Sequence, residues 1–261
     1  MFTENPFAEL PGFVSPELLQ GYVIVMICLV AGGTLFDIVH KKSARYFFNN
    51  WRQSKRNAKR TVSGSEMVSL FVKTALVDWL MSAEFCNARR RVAHLLTMYG
   101  FLAHVIATVI LVFSYTSSAM PAPELLVMAW YLGGLMVCLG GYWFWFFIRV
   151  DVAAEGHGPF RLIRADLFIL SLLASTTLGL AWAWMQSNDS GWANVMFYLY
   201  LIATTLLFGS VPWSKFSHMF YKPAAALQKR ISQADGSRNN LPEPADQPEI
   251  FGSSRELPRH Y

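Results

Sequence analysis

Polar positions in this chain come in blocks. Five stretches hold no Asp, Glu, Lys or Arg: residues 18–36, 92–123, 125–148, 167–188 and 190–214, of 19, 32, 24, 22 and 25 residues. A helix needs about 20 apolar residues to cross a ~30 Å hydrocarbon core. Each stretch is therefore predicted to be a span, and the fold an all-α integral membrane bundle of five transmembrane helices. Between the first and second spans, Val68, Phe71, Val72, Ala75, Leu76 and Trp79 recur at helical spacing within residues 66–84, interrupted by Lys73 and Asp78. That segment is too short and too charged to cross, which predicts an interfacial amphipathic helix before the second span. In the third span, Gly133-Gly134 and Gly140-Gly141 lie seven residues apart, on nearly one helix face. Small residues there permit either close helix packing or a groove for a flat cofactor. Trp143 and Trp145 near one end, and Trp182, Trp184 and Trp192 near the other, read as interfacial belts.

Composition sharpens the class. Hydrophobic residues make up 54% of the 261 and charged residues 15%, against roughly 25% charged in a soluble domain. A soluble enzyme with one large core is excluded. The sign of the charges then gives orientation. Twelve Lys/Arg lie in residues 37–91, three (Arg149, Arg161, Arg164) between the third and fourth spans, and seven after Ser214, which accounts for all 22. Residues 1–17 and the turns near 114–124 and at Asp189 hold none. Positive loops stay cytoplasmic, so the N-terminus is expected outside and the C-terminus in the cytoplasm of a multi-pass protein of the cell inner membrane. The net charge of +5 is thus a mark of topology, not of nucleic-acid binding.

These boundaries divide the chain into an outer N-terminal segment (1–17), a membrane domain (18–223) containing the basic cytoplasmic segment 37–91, and a disordered cytoplasmic tail (224–261). Apolar character is lost beyond Pro223, and Pro242, Pro244, Pro248 and Pro258 follow. Residues 1–17 carry Glu4, Glu9 and Glu17 but no basic leader, so the first apolar run is expected to remain as a span. Residues 41–60 interleave basic residues with Tyr46, Phe47, Phe48 and Trp51. Such a stretch suits an anionic lipid surface or a docked acidic partner. Cys28, Cys86 and Cys138 are isolated and offer no thiolate set for zinc or an iron–sulfur cluster. No mid-span carboxylate or amine and no inverted repeat is found, which counts against a transporter or proton pump.

Histidines are the remaining candidates for chemistry. His40, His157 and His260 suit headgroup, loop and tail positions. His94 and His104 both lie in the second span, about 15 Å apart along a helix. A midplane imidazole such as His104 costs free energy unless it is bonded or ligated. The fifth apolar run leads into VPWSKFSHMFYKP, carrying His218. Two neutral imidazoles from separate helices satisfy a six-coordinate b-type haem. His94 with His218 is the expected iron-ligating pair, with Arg89, Arg90, Arg91 and Lys215 near enough to neutralise the propionates. The bland reading is two interfacial histidines bonding carbonyls or lipid headgroups.

Five spans, an outer N-terminus, two histidines ten apart in the second span and one at the inner end of the fifth resemble the nitrate reductase gamma-subunit type of cytochrome b. The stretch HLLTMYGF at 94–101, with VPWSKFSHMFYKP, is similar to its sulfur-metabolism branch. That branch includes the membrane anchor accompanying adenylylsulfate reductase. The resemblance covers roughly residues 18–223. It implies His94 and His218 as ligands of a cytoplasmic-side haem b, and His104 as ligand of a second, outer haem. The expected partner of His104, about 18 residues before His218, is Tyr200, so His104 is left to bond a quinone oxygen, Tyr200 or Tyr198. By this resemblance the chain is a membrane anchor and electron-transfer subunit. It links a cytoplasmic flavin/iron–sulfur oxidoreductase to membrane quinone through one haem, or two, and contains no substrate chemistry of its own. The alternatives are a cofactor-free structural anchor and a small-molecule permease.

Overall fold

The structure is a computed structural model describing residues 3–8, 10, 13–40, 43–83, 85, 87–117, 119–149, 160, 162–163, 166–213 and 218–238, with side chains except at 43 and 218–221. Among them are eight helices and no strand. They are α1 (Pro16–His40), α2 (Ser43–Arg56), α3 (Gly64–Lys73), α4 (Ala88–Ser114), α5 (Glu124–Trp143), α6 (Leu167–Gln186), α7 (Ala193–Gly209) and α8 (His218–Ala234). Wider π-helical turns extend α3 (Thr74–Leu80) and α5 (Phe144–Ile148). Four helices are long and apolar enough to cross a membrane: α1, α4, α5 with its extension, and α6. The chain is an all-α protein of membrane character. α7 is apolar but has only 17 residues.

The chain forms two compact units, Met1–Asp37 with Val92–Ser217, and Ile38–Arg91 with His218–Tyr261. In the first unit the core is aromatic: Trp130, Trp182, Tyr131 and Phe197 are fully buried. Phe7, from the segment before α1, packs between Trp130 (5.7 Å) and Trp182 (5.4 Å). Hydrogen bonds from Asn5 to the Tyr115 carbonyl and from Gln186 to the Pro6 carbonyl fasten that segment over the bundle end. Hydroxyls tie helices that have little hydrophobic drive to associate in lipid. Ser175 bonds Thr204 (2.7 Å), and Tyr22 donates to the Leu201 carbonyl (2.9 Å). Two of the expected interfacial tryptophans belong to this packing instead: Trp182 is 1% and Trp145 4% exposed, whereas Trp184 and Trp192 do face outward.

The second unit contains α2, α3 with its extension, and α8. Ser63 caps α3 by accepting from the Glu66 amide, and Glu66 turns its carboxylate to Arg60. The amphipathic helix expected over 66–84 changes pitch at Thr74, whose hydroxyl donates to the Leu70 carbonyl (2.7 Å), an oxygen that also accepts the Thr74 amide. It ends at Leu80, and Ser82 follows with φ 48°. The widened turn brings Asp78 to Arg230 of α8.

Two further expectations are corrected. The fifth apolar helix does not run on to Pro223: α7 ends at Gly209, and Ser210–Trp213 form a turn in which Pro212 cannot donate an amide hydrogen bond. His218 opens a separate helix. Residues 224–234, assigned by composition to a disordered tail, are about three turns of α8, with Ala226, Ile231 and Ser232 buried and Ser232 bonded to Ser54 (2.8 Å). Burial of these side chains and the bond to Ser54 support the helix, which the polar composition concealed. His157, Cys86 and residues 239–261 lie outside the described residues.

Candidate functional site

The second predicted span, α4, carries both candidate imidazoles. His104 is 5% exposed. Its Nδ1 lies 2.8 Å from the Trp130 carbonyl oxygen on α5, so Nδ1 carries the hydrogen. The Trp130 indole returns the contact: its Nε1 donates to Thr108 Oγ1 (2.9 Å), and that hydroxyl donates to the His104 carbonyl (2.7 Å). The two rings pack at 4.7 Å and 32°. His104 is thus fixed in one tautomer and orientation, and among the described residues no hydrogen bond reaches Nε2. A carbonyl on Nδ1 with Nε2 left as acceptor is how metal-ligating histidines are commonly held.

Tyr200 and Tyr198 are not the partners of that ring. Tyr200 lies parallel to Trp182, 5.8 Å between centroids, and packs over Gly179, while Tyr198 is 53% exposed. Sequence reading missed Trp130 because the contact uses its backbone carbonyl, which no side-chain pattern reports. With Nδ1 engaged, neutral His104 can only accept at Nε2.

The glycines of α5 close the space that a flat cofactor would need along this helix. A Cβ at Gly133 would lie 2.7 Å from the Gly100 carbonyl oxygen, and one at Gly140 2.6 Å from the Ala93 oxygen. Gly134 and Gly141 face Leu180 and Leu173 of α6. Of the two readings of this glycine set, helix packing is the one realised.

The six-coordinate b-type haem expected here takes two axial side chains. Around His104 the residues do not fit one, since α7 supplies Tyr200, turned to Trp182, where a second imidazole is required. At the other end of α4 the residue types, imidazoles, are ones that haem iron takes. His94 is a half-buried imidazole on α4, and His218 provides a second at the start of α8. The side chain of His218 lies outside the described residues, and the two residues belong to different units. Arg91 donates from Nε to the Met81 carbonyl (2.7 Å). Among the described residues no group of three or more His, Cys, Asp or Glu is placed to hold a metal ion.

One charged cluster was not anticipated. Arg149, just past α5, stacks on Trp145 (4.2 Å) and forms a two-pronged ion pair with Asp166, which also accepts the Ile163 amide. Both side chains are nearly buried, at 13% and 9% exposure. Read as a loop charge, Arg149 gave only orientation; the pairing across 17 residues joins the ends of α5 and α6.

No family model matches this chain, and no solved structure matches it. It is similar to citrate utilization protein B of Escherichia coli, 29% identical over 160 residues, which cover 59% of this chain and 41% of that protein. The chain thus spans about two fifths of the length of the curated relative it matches.

Proposed function

We propose that this chain is the membrane subunit of an oxidoreductase complex. It crosses the inner membrane five times with its N-terminus outside, anchors a cytoplasmic flavin/iron–sulfur enzyme, and carries electrons between that enzyme and membrane quinone through a b-type haem. The observation that carries the reading is α4, a helix fit to cross a membrane and bearing two imidazoles, the deeper one held by a backbone carbonyl with Nε2 unbonded among the described residues. Supporting the fifth span, α7 is about 26 Å long and lies inside a 25-residue run without charge. Supporting the orientation, all 22 basic residues fall on one side of the five spans.

His94 and His218 would hold the iron, and Arg91 with its neighbours would sit near the carboxylates of the group. The haem, when bound, supplies one-electron chemistry between the quinone and the soluble partner. His104 is assigned to the quinol hydroxyl, because its free ring nitrogen is an acceptor.

The partner is identified by chemistry. The family resemblance gives an enzyme of sulfur metabolism, adenylylsulfate reductase first; the likeness to citrate utilization protein B gives one acting in the use of citrate. A citrate carrier is disfavoured, because the five uncharged runs contain no cation to accompany a multiply charged anion across lipid. A cofactor-free anchor is the second reading, favoured by the closed α4–α5 contact at Gly133.

Purification from the native membrane in mild detergent tests these together. A pyridine haemochrome assay should give about one haem per chain, reduced to none in His94→Ala and His218→Ala. Zero in the unaltered protein refutes the relay and leaves the anchor, and citrate flux into liposomes by the chain alone would establish the carrier.

A further inference from the structure

We propose that the outward face of α2 is a seat for anionic phospholipid headgroups. At 100° per residue, Arg45, Phe48, Asn49, Arg52, Lys55 and Arg56 fall on one arc of the helix, and all six are exposed. The opposite arc, with Ala44, Phe47, Trp51 and Ser54, turns inward; Ser54 bonds Ser232 and Ser237 of its own unit, 2.8 Å each. A helix whose inner side is already packed turns its basic side outward, with the exposed Tyr46 and Gln53 at its edge.

The described acids of the unit are engaged elsewhere. Glu66 pairs with Arg60, Asp78 with Arg230, and Asp235 accepts the Ser237 amide. Among the described residues no carboxylate pairs with Arg45, Arg52, Lys55 or Arg56. Lys55 sits instead 5.9 Å over the Trp51 ring. Phe48 is 57% exposed in the middle of the cations. Cations around an exposed aromatic ring match an interface where phosphates lie beside the first methylenes of the acyl chains.

Chain connectivity favours a bilayer over a soluble acidic partner. α1, a candidate span, ends at His40 and α2 begins at Ser43. Three residues reach about 10 Å when extended, so α2 starts at headgroup level if α1 crosses. The inference rests on the membrane reading to that extent.

The test uses the full chain, with Cys28, Cys86 and Cys138 replaced, in nanodiscs of phosphatidylcholine alone or mixed with phosphatidylglycerol. A nitroxide at Asn49→Cys reports depth by collision with oxygen against a water-soluble nickel chelate. One at Ile27→Cys, 53% exposed in the middle of α1, reports whether the span itself is inserted. The expected result is bilayer depth at position 49 only with phosphatidylglycerol. Each of Arg45→Gln, Arg52→Gln and Arg56→Gln should weaken the insertion equilibrium about five-fold, and so should added salt. Equal depth in both lipids, or no response to the three substitutions, overturns the proposal. So does a label shielded from oxygen and chelate alike, which would mean that a second copy or a partner protein covers the face. Failure of position 27 to enter either bilayer would instead overturn the membrane reading.

Discussion

Replacing Gly133 with alanine tests the helix contact that holds His104. The new Cβ would lie 2.7 Å from the Gly100 carbonyl oxygen and 2.7 Å from the His104 backbone nitrogen. Both obstacles are backbone, so no side chain can rotate away. Ordinary contact begins at 3.4 Å, and α4 and α5 must therefore separate by about 0.7 Å. A gap of that size forfeits a quarter to a half of the dispersion attraction across the contact, and overpacking of this kind costs about 1–3 kcal/mol. Gly32→Ala is the control: nothing lies within 4 Å of its Cβ, and on helix propensity it should gain about 0.5–1 kcal/mol. At about 2–4 °C per kcal/mol for a chain of this size, Gly133→Ala lowers the midpoint of thermal unfolding in detergent by several degrees, while Gly32→Ala leaves it level or raises it. Equal midpoints for the two variants would refute the close α4–α5 contact.

Other perturbations have defined outcomes. Asp166→Asn leaves the Arg149 guanidinium nearly buried without its partner charge and should cost about 3 kcal/mol, read from unfolding midpoints; Arg149→Met with Asp166→Leu should recover most of it. The hydrogen bond from Arg60, and then its charge, hold the Glu66 carboxyl below the usual carboxylate range. A lowered folded-state value means that this contribution is complete at neutral pH and is lost as pH falls past the ordinary range toward the depressed one. Amide protection factors at residues 60–67, corrected for the intrinsic rate, should therefore fall in acid, and Glu66→Gln should remove that pH dependence. His104→Leu should leave the haem-to-chain ratio unchanged and slow quinol oxidation, since His104 is assigned to quinol and not to iron.

The apolar helices were readable because lipid imposes a length: 20 or so uncharged residues leave little choice of structure. α1, α4, α5 and α6 coincide with uncharged runs for that reason. Where the chain leaves that regime, composition lost its force. Past Pro223 the residues are polar enough to suggest disorder, but Ala226, Ile231 and Ser232 of α8 are buried, which no polar/apolar period in the segment announces. Likewise the absence of charge through residues 190–214 hid the stop signal of Pro212, three residues past the end of α7 at Gly209; His218 belongs to another helix. Trp182 lay near the end of its run and suggested a belt. Its place behind Ser171, Ser175 and Gly179, at three- and four-residue spacing, was the available sign that this face is packed. The polar bonding of the site was hardest to read. His104 could be singled out by depth, but its partner is the Trp130 carbonyl, and Arg149 finds Asp166 17 residues further on; neither pairing has a sequence period.

The most direct measurement is the visible spectrum of the purified full chain when a short-chain quinol is added under argon. The account predicts that a sharp low-spin α-band grows with the quinol, is reversed by quinone, and is lost in His94→Ala. A protein that is intact, folded and spectrally silent under both quinol and dithionite would contradict it and leave the molecule a membrane tether.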